Sequence, residues 1–290
     1  MPHTHTCSFR VRHYECDAFG HVNNATYLRY MQEAAFDAST AAGYSPARYA
    51  ELNRQWLVRE TDVEYLAPLR YGDFVEVKTW VVDFQRVTSR RAYEFYRQGA
   101  PVAKAYTDWV FLELGTGRPV AIPQELAEAF FLEGAPDTGP ARTKFSAPPA
   151  PPPGLFTMRR RVEWRDIGPA GHVNNAVYLA YVDDCGFQVS AAHGWPLSRM
   201  AAEGFAIIVR RHRIQYLRSA LLDEELEIAT WASGLKQRSG TRHYLIRRAG
   251  DGELLTRVQT VYVWVDIASG RPIRIPAQFL ADFAPNITDD

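Results

Sequence analysis

The chain has 290 residues, 47% hydrophobic and 23% charged, enough for two globular domains with sizeable cores. Its 33 basic and 33 acidic residues cancel, so nothing favours a polyanion such as nucleic acid as partner. No run of about 18 apolar residues suggests a membrane span, and three cysteines without CxxC spacing argue against a disulfide framework or structural zinc and fit a reducing cytoplasm.

The N-terminus, MPHTHTCSFRVRH, lacks the apolar core of a signal peptide. A strand is expected over residues 8–14, then a polar turn. A helix follows, because Tyr27, Tyr30, Met31, Ala34, Ala35, Ala38 and Ala42 recur at helical spacing and Gly43 falls where the helix should stop. Glu64 lies in a strand just before Tyr65. In residues 74–82 Val75, Val77, Thr79 and Val81 face one way while Glu76 and Lys78 face the other, which marks a strand with one buried face. Two further strands are expected near 88–98 and 102–114, and a short helix after Pro123. Residues 147–154 are a proline run, expected to act as an extended spacer.

The same series then repeats. Gly20-His21-Val22-Asn23-Asn24-Ala25-Thr26-Tyr27 returns as Gly171-His172-Val173-Asn174-Asn175-Ala176-Val177-Tyr178, at an offset of 151 residues. The offset also pairs Tyr30 with Tyr181 and Thr79-Trp80 with Thr230-Trp231, and it slips by two residues near Gly99 and Gly250. A period this long means duplicated domains rather than a solenoid. The expected division is 1–146, a linker at 147–154, and 155–290. Each copy reads as an α+β layer, one helix against an antiparallel sheet of about five strands.

Asn23 or Asn24 stands where the first helix should begin, and asparagine is a good N-cap. Unpaired backbone N–H groups and the helix dipole make that start electron-poor, a place where a carbonyl oxygen would be polarised. Asp17 lies just upstream and is the candidate general base or nucleophile; His21, between them, could orient a group or exchange a proton. Taken singly, each residue is as well explained as a cap or a turn-former. The grouping is what points to chemistry. In the second copy Gly168 replaces Asp17, and Asp166 is in register with Glu15.

Residues 16–28, Cys-Asp-Ala-Phe-Gly-His-Val-Asn-Asn-Ala-Thr-Tyr-Leu, resemble the signature of hotdog-fold acyl-CoA thioesterases of the 4-hydroxybenzoyl-CoA thioesterase-like group. His172-Val173-Asn174-Asn175 also resembles the motif of plant acyl-ACP thioesterases, which carry two hotdogs in one chain. The resemblance implies a tandem double hotdog, each copy a long central helix wrapped by an antiparallel sheet and the two forming an intramolecular pseudo-dimer. It implies an acyl-CoA or acyl-ACP substrate, with coenzyme A entering only as part of the substrate, and needs no metal or other cofactor. The family's acid maps onto Asp17 and its polarising amide near Asn24. Phe19 and Ala170 stand where plant enzymes carry an extra Asn.

The candidate site is therefore catalytic Asp17, His21 and Asn24, with Gly20, Asn23, Tyr27, Glu64, Arg86 and Arg90 toward the substrate. Asp166, Gly168, His172 and Asn175 form a second-copy pseudo-site. Tyr27, Tyr30 and Trp56 are candidate walls of an acyl tunnel. The arginines Arg86, Arg90, Arg91, Arg238 and Arg242, with Lys236, are candidates for coenzyme A phosphates. Glu33 and Asp184, at matching helix positions, read as structural. Two rivals to an acyl-CoA hydrolase stand: an acyl-ACP thioesterase and a non-catalytic acyl-thioester-binding protein. A further homo-oligomer is left open.

Overall fold

The computed structural model describes residues 1–132 and 142–288, which fall into two compact units, Met1–Lys144 and Phe145–Asp290. In the first unit the elements are β1 (His5–Arg10), α1 (Asn24–Ala41), α2 (Pro46–Glu51), β2 (Arg54–Tyr65), β3 (Phe74–Phe84), β4 (Thr88–Arg97), β5 (Ala100–Glu113) and α3 (Gln124–Glu128). The strands pair antiparallel in the order β1-β3-β4-β5-β2. On β3 every second residue from Val75 to Asp83 is buried. The sheet presents this face to α1, which packs on β1 and β3 and buries Tyr27, Tyr30, Met31, Ala34, Ala35 and Ala38. The alanines keep the helix close to the sheet, and each large buried side chain contributes about 1.5–3 kcal/mol relative to exposure.

The second unit repeats this as β6 (Phe156–Arg161), α4 (Val177–Ala192), α5 (Leu197–Ala202), β7 (Phe205–Tyr216), β8 (Glu225–Ser233), β9 (Ser239–Arg248), β10 (Leu254–Asp266) and α6 (Ala277–Phe283). Its strands pair antiparallel in the order β6-β8-β9-β10-β7. Both long helices stop as expected. Gly43 and Gly194 take positive φ, +88° and +79°, and the following N–H groups reach back, Tyr44 to Ser39 O and Trp195 to Ser190 O, each at 2.8 Å. Among the described residues no helix is long and apolar enough to cross a membrane, and all three cysteines are unpaired.

Several boundaries differ from the sequence expectation. The first strand ends at Arg10, not at 14, because His13–Glu15 is a 3-10 turn. The Glu15 carboxylate accepts the Arg12 N–H at 2.7 Å and turns the chain off the sheet; Asp166 does the same for Glu163 at 2.9 Å. The short helices α2 and α5 were not expected. Ser45 caps α2 by accepting the Arg48 N–H, with Pro46 in its first turn. The proline run does not stand free. Phe145 is buried between the guanidinium groups of Arg213 and Arg257, 5.2 and 5.1 Å from its ring. Gly154 donates to Pro285 O at 2.9 Å and accepts from Asn286 Nδ2 at 2.9 Å, so the run belongs to the second unit. The two-residue slip is a hairpin difference: Gln98 and Gly99 alone join β4 to β5, whereas five residues join β9 to β10.

Candidate active site

Residues 17–21 close a tight loop in front of α1. Cys16 and Val22 pair as an isolated bridge, the Asp17 N–H donates to His21 O at 2.8 Å, and the Gly20 N–H donates to Asp17 O at 3.0 Å. Gly20 sits at φ +70°, a conformation that any side chain would strain. One carboxylate oxygen of Asp17, Oδ1, accepts the Phe19 N–H at 2.9 Å and the His21 N–H at 3.1 Å. The residue is exposed, and its other oxygen has no hydrogen bond among the described residues. One oxygen thus fixes the loop and leaves the second directed to solution.

His21 is half-buried on the same loop, with its backbone bridged to Arg70. Burial, then the Arg70 charge, lower its pKa against a smaller opposing pull from Asp17, so the imidazole is neutral at pH 7. The Asn23 side chain accepts the Ala25 N–H at 2.9 Å and caps α1, and Asn23 O accepts the Thr26 N–H at 2.9 Å. Asn24 is the first residue of the helix. An exposed carboxylate oxygen, a neutral imidazole and a helix start are thereby grouped within one short segment. Such a set can take a proton from water and polarise a carbonyl.

The second copy keeps the backbone and loses the acid. The Gly168 N–H donates to His172 O at 2.9 Å and the Gly171 N–H to Gly168 O at 3.0 Å. Asn174 Oδ1 accepts the Ala176 N–H at 3.0 Å, while α4 begins only at Val177, after Asn175 and Ala176 have formed a turn. The His172 ring lies against its neighbour's carbonyl, Val173 O, at 3.0 Å.

Asp166 does not replace the missing acid. It is 5% exposed, its carboxylate accepts the Tyr181 O–H at 2.6 Å, and it occupies the structural place of Glu15, which holds Tyr30 at 2.7 Å. The carbonyls of Glu15 and Asp166 also accept the N–H of Asn23 and Asn174, each at 2.9 Å, so both residues pin a loop to its helix.

Other expected substrate residues are placed elsewhere. Tyr27 is 2% exposed, edge-on to Tyr65 at 5.1 Å, and belongs to the core. Tyr30 stacks on Phe9 at 4.7 Å and donates its hydroxyl to Glu15 at 2.7 Å. Trp56 packs on Phe111 at 4.7 Å in an aromatic cluster with Phe84 and Phe130. Glu64 pairs across the sheet with Lys104 at 3.0 Å. Arg90 is locked in a two-pronged bond to Asp108, at 2.8 and 2.7 Å, and Arg91 and Arg242 are buried, each within its own unit. Arg86, Lys236 and Arg238 remain exposed on the hairpins.

Arg70 is the residue the sequence reading missed. Its Nη1 lies 3.8 Å from where a Cβ on Gly20 would be, and its charge bears on His21. The repeat offers a signal, since Leu221 stands at the matching position and Arg70, like Asp17, is present in one copy only.

The family pattern of the thioesterase-like superfamily matches residues 11–130 and again 162–283. YbgC of Escherichia coli, an acyl-CoA thioester hydrolase, is 28% identical over 131 residues, 44% of this chain and 96% of YbgC. The chloroplastic acyl-[acyl-carrier-protein] hydrolase FATB2 of Cuphea viscosissima is 27% identical over 188 residues; the match covers 60% of this chain but only 45% of that protein. The solved 12:0-ACP thioesterase from Umbellularia californica shares the fold over 89% of this chain and 93% of its own, with a TM-score of 0.70 at 19% identity. With the pattern matched twice and over most of its length, the chain belongs to the thioesterase-like superfamily, as a tandem pair of hotdog domains.

Proposed function

We propose that the chain hydrolyses an acyl-CoA to a free acid and coenzyme A at a site built on Asp17. The free oxygen of Asp17 takes a proton from water. The water oxygen bonds to the thioester carbonyl carbon, and the helix start near Asn24 stabilises the negative charge that develops on the carbonyl oxygen. The C–S bond then breaks and the proton passes to the leaving thiolate. Direct attack by the carboxylate on the carbonyl carbon is the variant in which Asp17 is a nucleophile. Neutral His21 supports the loop, and Arg70 offers a cation beside it for the anionic carrier. No metal or cofactor takes part in this reaction.

The observation that carries the reading is the half-engaged carboxylate of Asp17 in front of a capped helix. Its counterpart lacks the acid, so we assign hydrolysis to the first copy alone. The similarity to both acyl-CoA and acyl-carrier-protein hydrolases keeps the carrier protein as the second reading. The three unpaired cysteines support a cytoplasmic setting. The test is free-thiol release from a panel of acyl-CoA thioesters, with the best acyl chain then presented on the carrier protein. Faster turnover of the carrier-protein thioester would make that the substrate. Absence of hydrolysis at stoichiometric protein, with thioester bound, would make the chain a binding protein instead.

A further inference from the structure

The seam between β1 and α1 differs between the copies in a way that hydrolysis does not explain. In the second unit Arg160 of β6 lies over the Tyr181 ring at 4.4 Å and pairs with Asp184 of α4 at 2.7 Å. The strand therefore supplies the cation that the helix carboxylate needs. In the first unit the matching residues are Phe9, Tyr30 and Glu33, and Phe9 stacks on Tyr30 instead. Asp37 lies one turn beyond Glu33 on α1, so two carboxylates share one stretch of helix, an arrangement that repels. Neither has an ion pair among the described residues.

Facing them from β1 are His5 and Cys7, which share the half-buried side of the strand. The Cys7 thiol donates to Asp37 Oδ2 at 3.4 Å, and one ligand atom each of His5, Cys7 and Asp37 lie within 4.8 Å of one another. At the matching positions of the second copy stand Phe156, Met158 and Gln188, where imidazole, thiol and carboxylate are all gone. The seam can therefore be closed in this fold without an imidazole, a thiol or a carboxylate at these three positions, and packing does not require the trio.

We propose that His5, Cys7 and Asp37 form a site for a zinc-class divalent transition metal, with Glu33 beside it as a further carboxylate. The donor set of imidazole nitrogen, thiolate sulfur and carboxylate oxygen suits such an ion. Bond lengths of about 2.0–2.3 Å place tetrahedral ligand atoms roughly 3.3–3.8 Å apart, so the trio needs to close by at most about 1.5 Å. On binding, the ion replaces the thiol proton of Cys7. The ion would join the outer strand β1 to α1 and supply the charge that Arg160 supplies in the second unit. It is separate from the Asp17 loop, so this proposal stands or falls independently of the hydrolytic one.

The test is titration of the full chain, freed of metal by a chelator, with cobalt(II). One saturable site per chain with a thiolate-to-cobalt charge-transfer band is expected, together with competition by zinc(II). Cys7→Ser should abolish the band, Asp37→Asn should weaken binding by roughly tenfold or more, and Cys16→Ser should change neither. Circular dichroism of the metal-free variants checks that they fold. Absence of saturable binding, or binding that Cys7→Ser leaves unchanged, would overturn the proposal in favour of a metal-free hydrogen-bonded trio.

Discussion

Replacing Asp17 by asparagine separates what the residue does for the loop from what it does for the reaction. The amide oxygen still accepts the Phe19 and His21 N–H groups, the two bonds that Oδ1 now receives at 2.9 and 3.1 Å. Each is worth about 0.5–1.5 kcal/mol, and less here because the residue is exposed, so Asp17→Asn should cost under about 1 kcal/mol of stability. The amide cannot take a proton. Loss of a general base lowers kcat by roughly a hundredfold or more, which is about 2.7 kcal/mol of barrier. Asp17→Ala removes both loop bonds as well and should lower the melting temperature further. The assay is thiol release from the best acyl-CoA, with kcat and KM measured beside thermal unfolding. An asparagine variant with unchanged turnover would refute the assignment. So would loss of activity in step with loss of melting temperature in both variants, since the effect would then be loop collapse.

Gly168→Asp should be tolerated, because a Cβ there meets Asn174 atoms at an ordinary 3.6 Å; its melting temperature should stay level, and a marked fall would show that the two loops are not equivalent. Asp166→Asn should destabilise the second unit by about 1–3 kcal/mol, since it weakens a buried charge-assisted bond to Tyr181. Turnover should hold at temperatures where the variant is folded, and a loss equal to that of Asp17→Asn would overturn the one-site reading. Burial pushes the His212 imidazole down to about 3. The unfolded chain takes up this proton below the ordinary 6.5 while the native chain does not. The stability His212 contributes is therefore full above pH 6.5 and is lost as pH falls toward 3, by up to about 1.4 kcal/mol per pH unit. In urea unfolding the margin of wild type over His212→Gln should shrink across that window; a constant margin would show that His212 is not held neutral.

Much of the fold was legible because the pattern was written twice. Helical spacing from Tyr27 to Ala42 and alternation on β3 each name a buried face, and the stop glycines agree with them. Boundaries were less legible where side chains bond to backbone at short range. The 3-10 turns depend on Glu15 and Asp166 reaching three residues back, which no hydrophobic period reveals. The aromatic and basic residues were the least legible. Tyr27 and Trp56 suit a pocket as well as a core, and Arg90 suits a phosphate as well as Asp108; only the packed neighbours distinguish these uses.

The sequence by itself determined the duplication, the start of the first long helix and the difference between Asp17 and Gly168, because these depend on residue identity and a fixed offset. The tertiary structure decided what each polar residue faces. It bound one oxygen of Asp17 into its loop, gave Asp166 to Tyr181 rather than to a second site, and set Arg70 beside His21 from a segment distant in the chain. A carboxylate's role follows from which donors reach it and how much water remains around it, and both depend on residues brought together only by the folded sheet and helix.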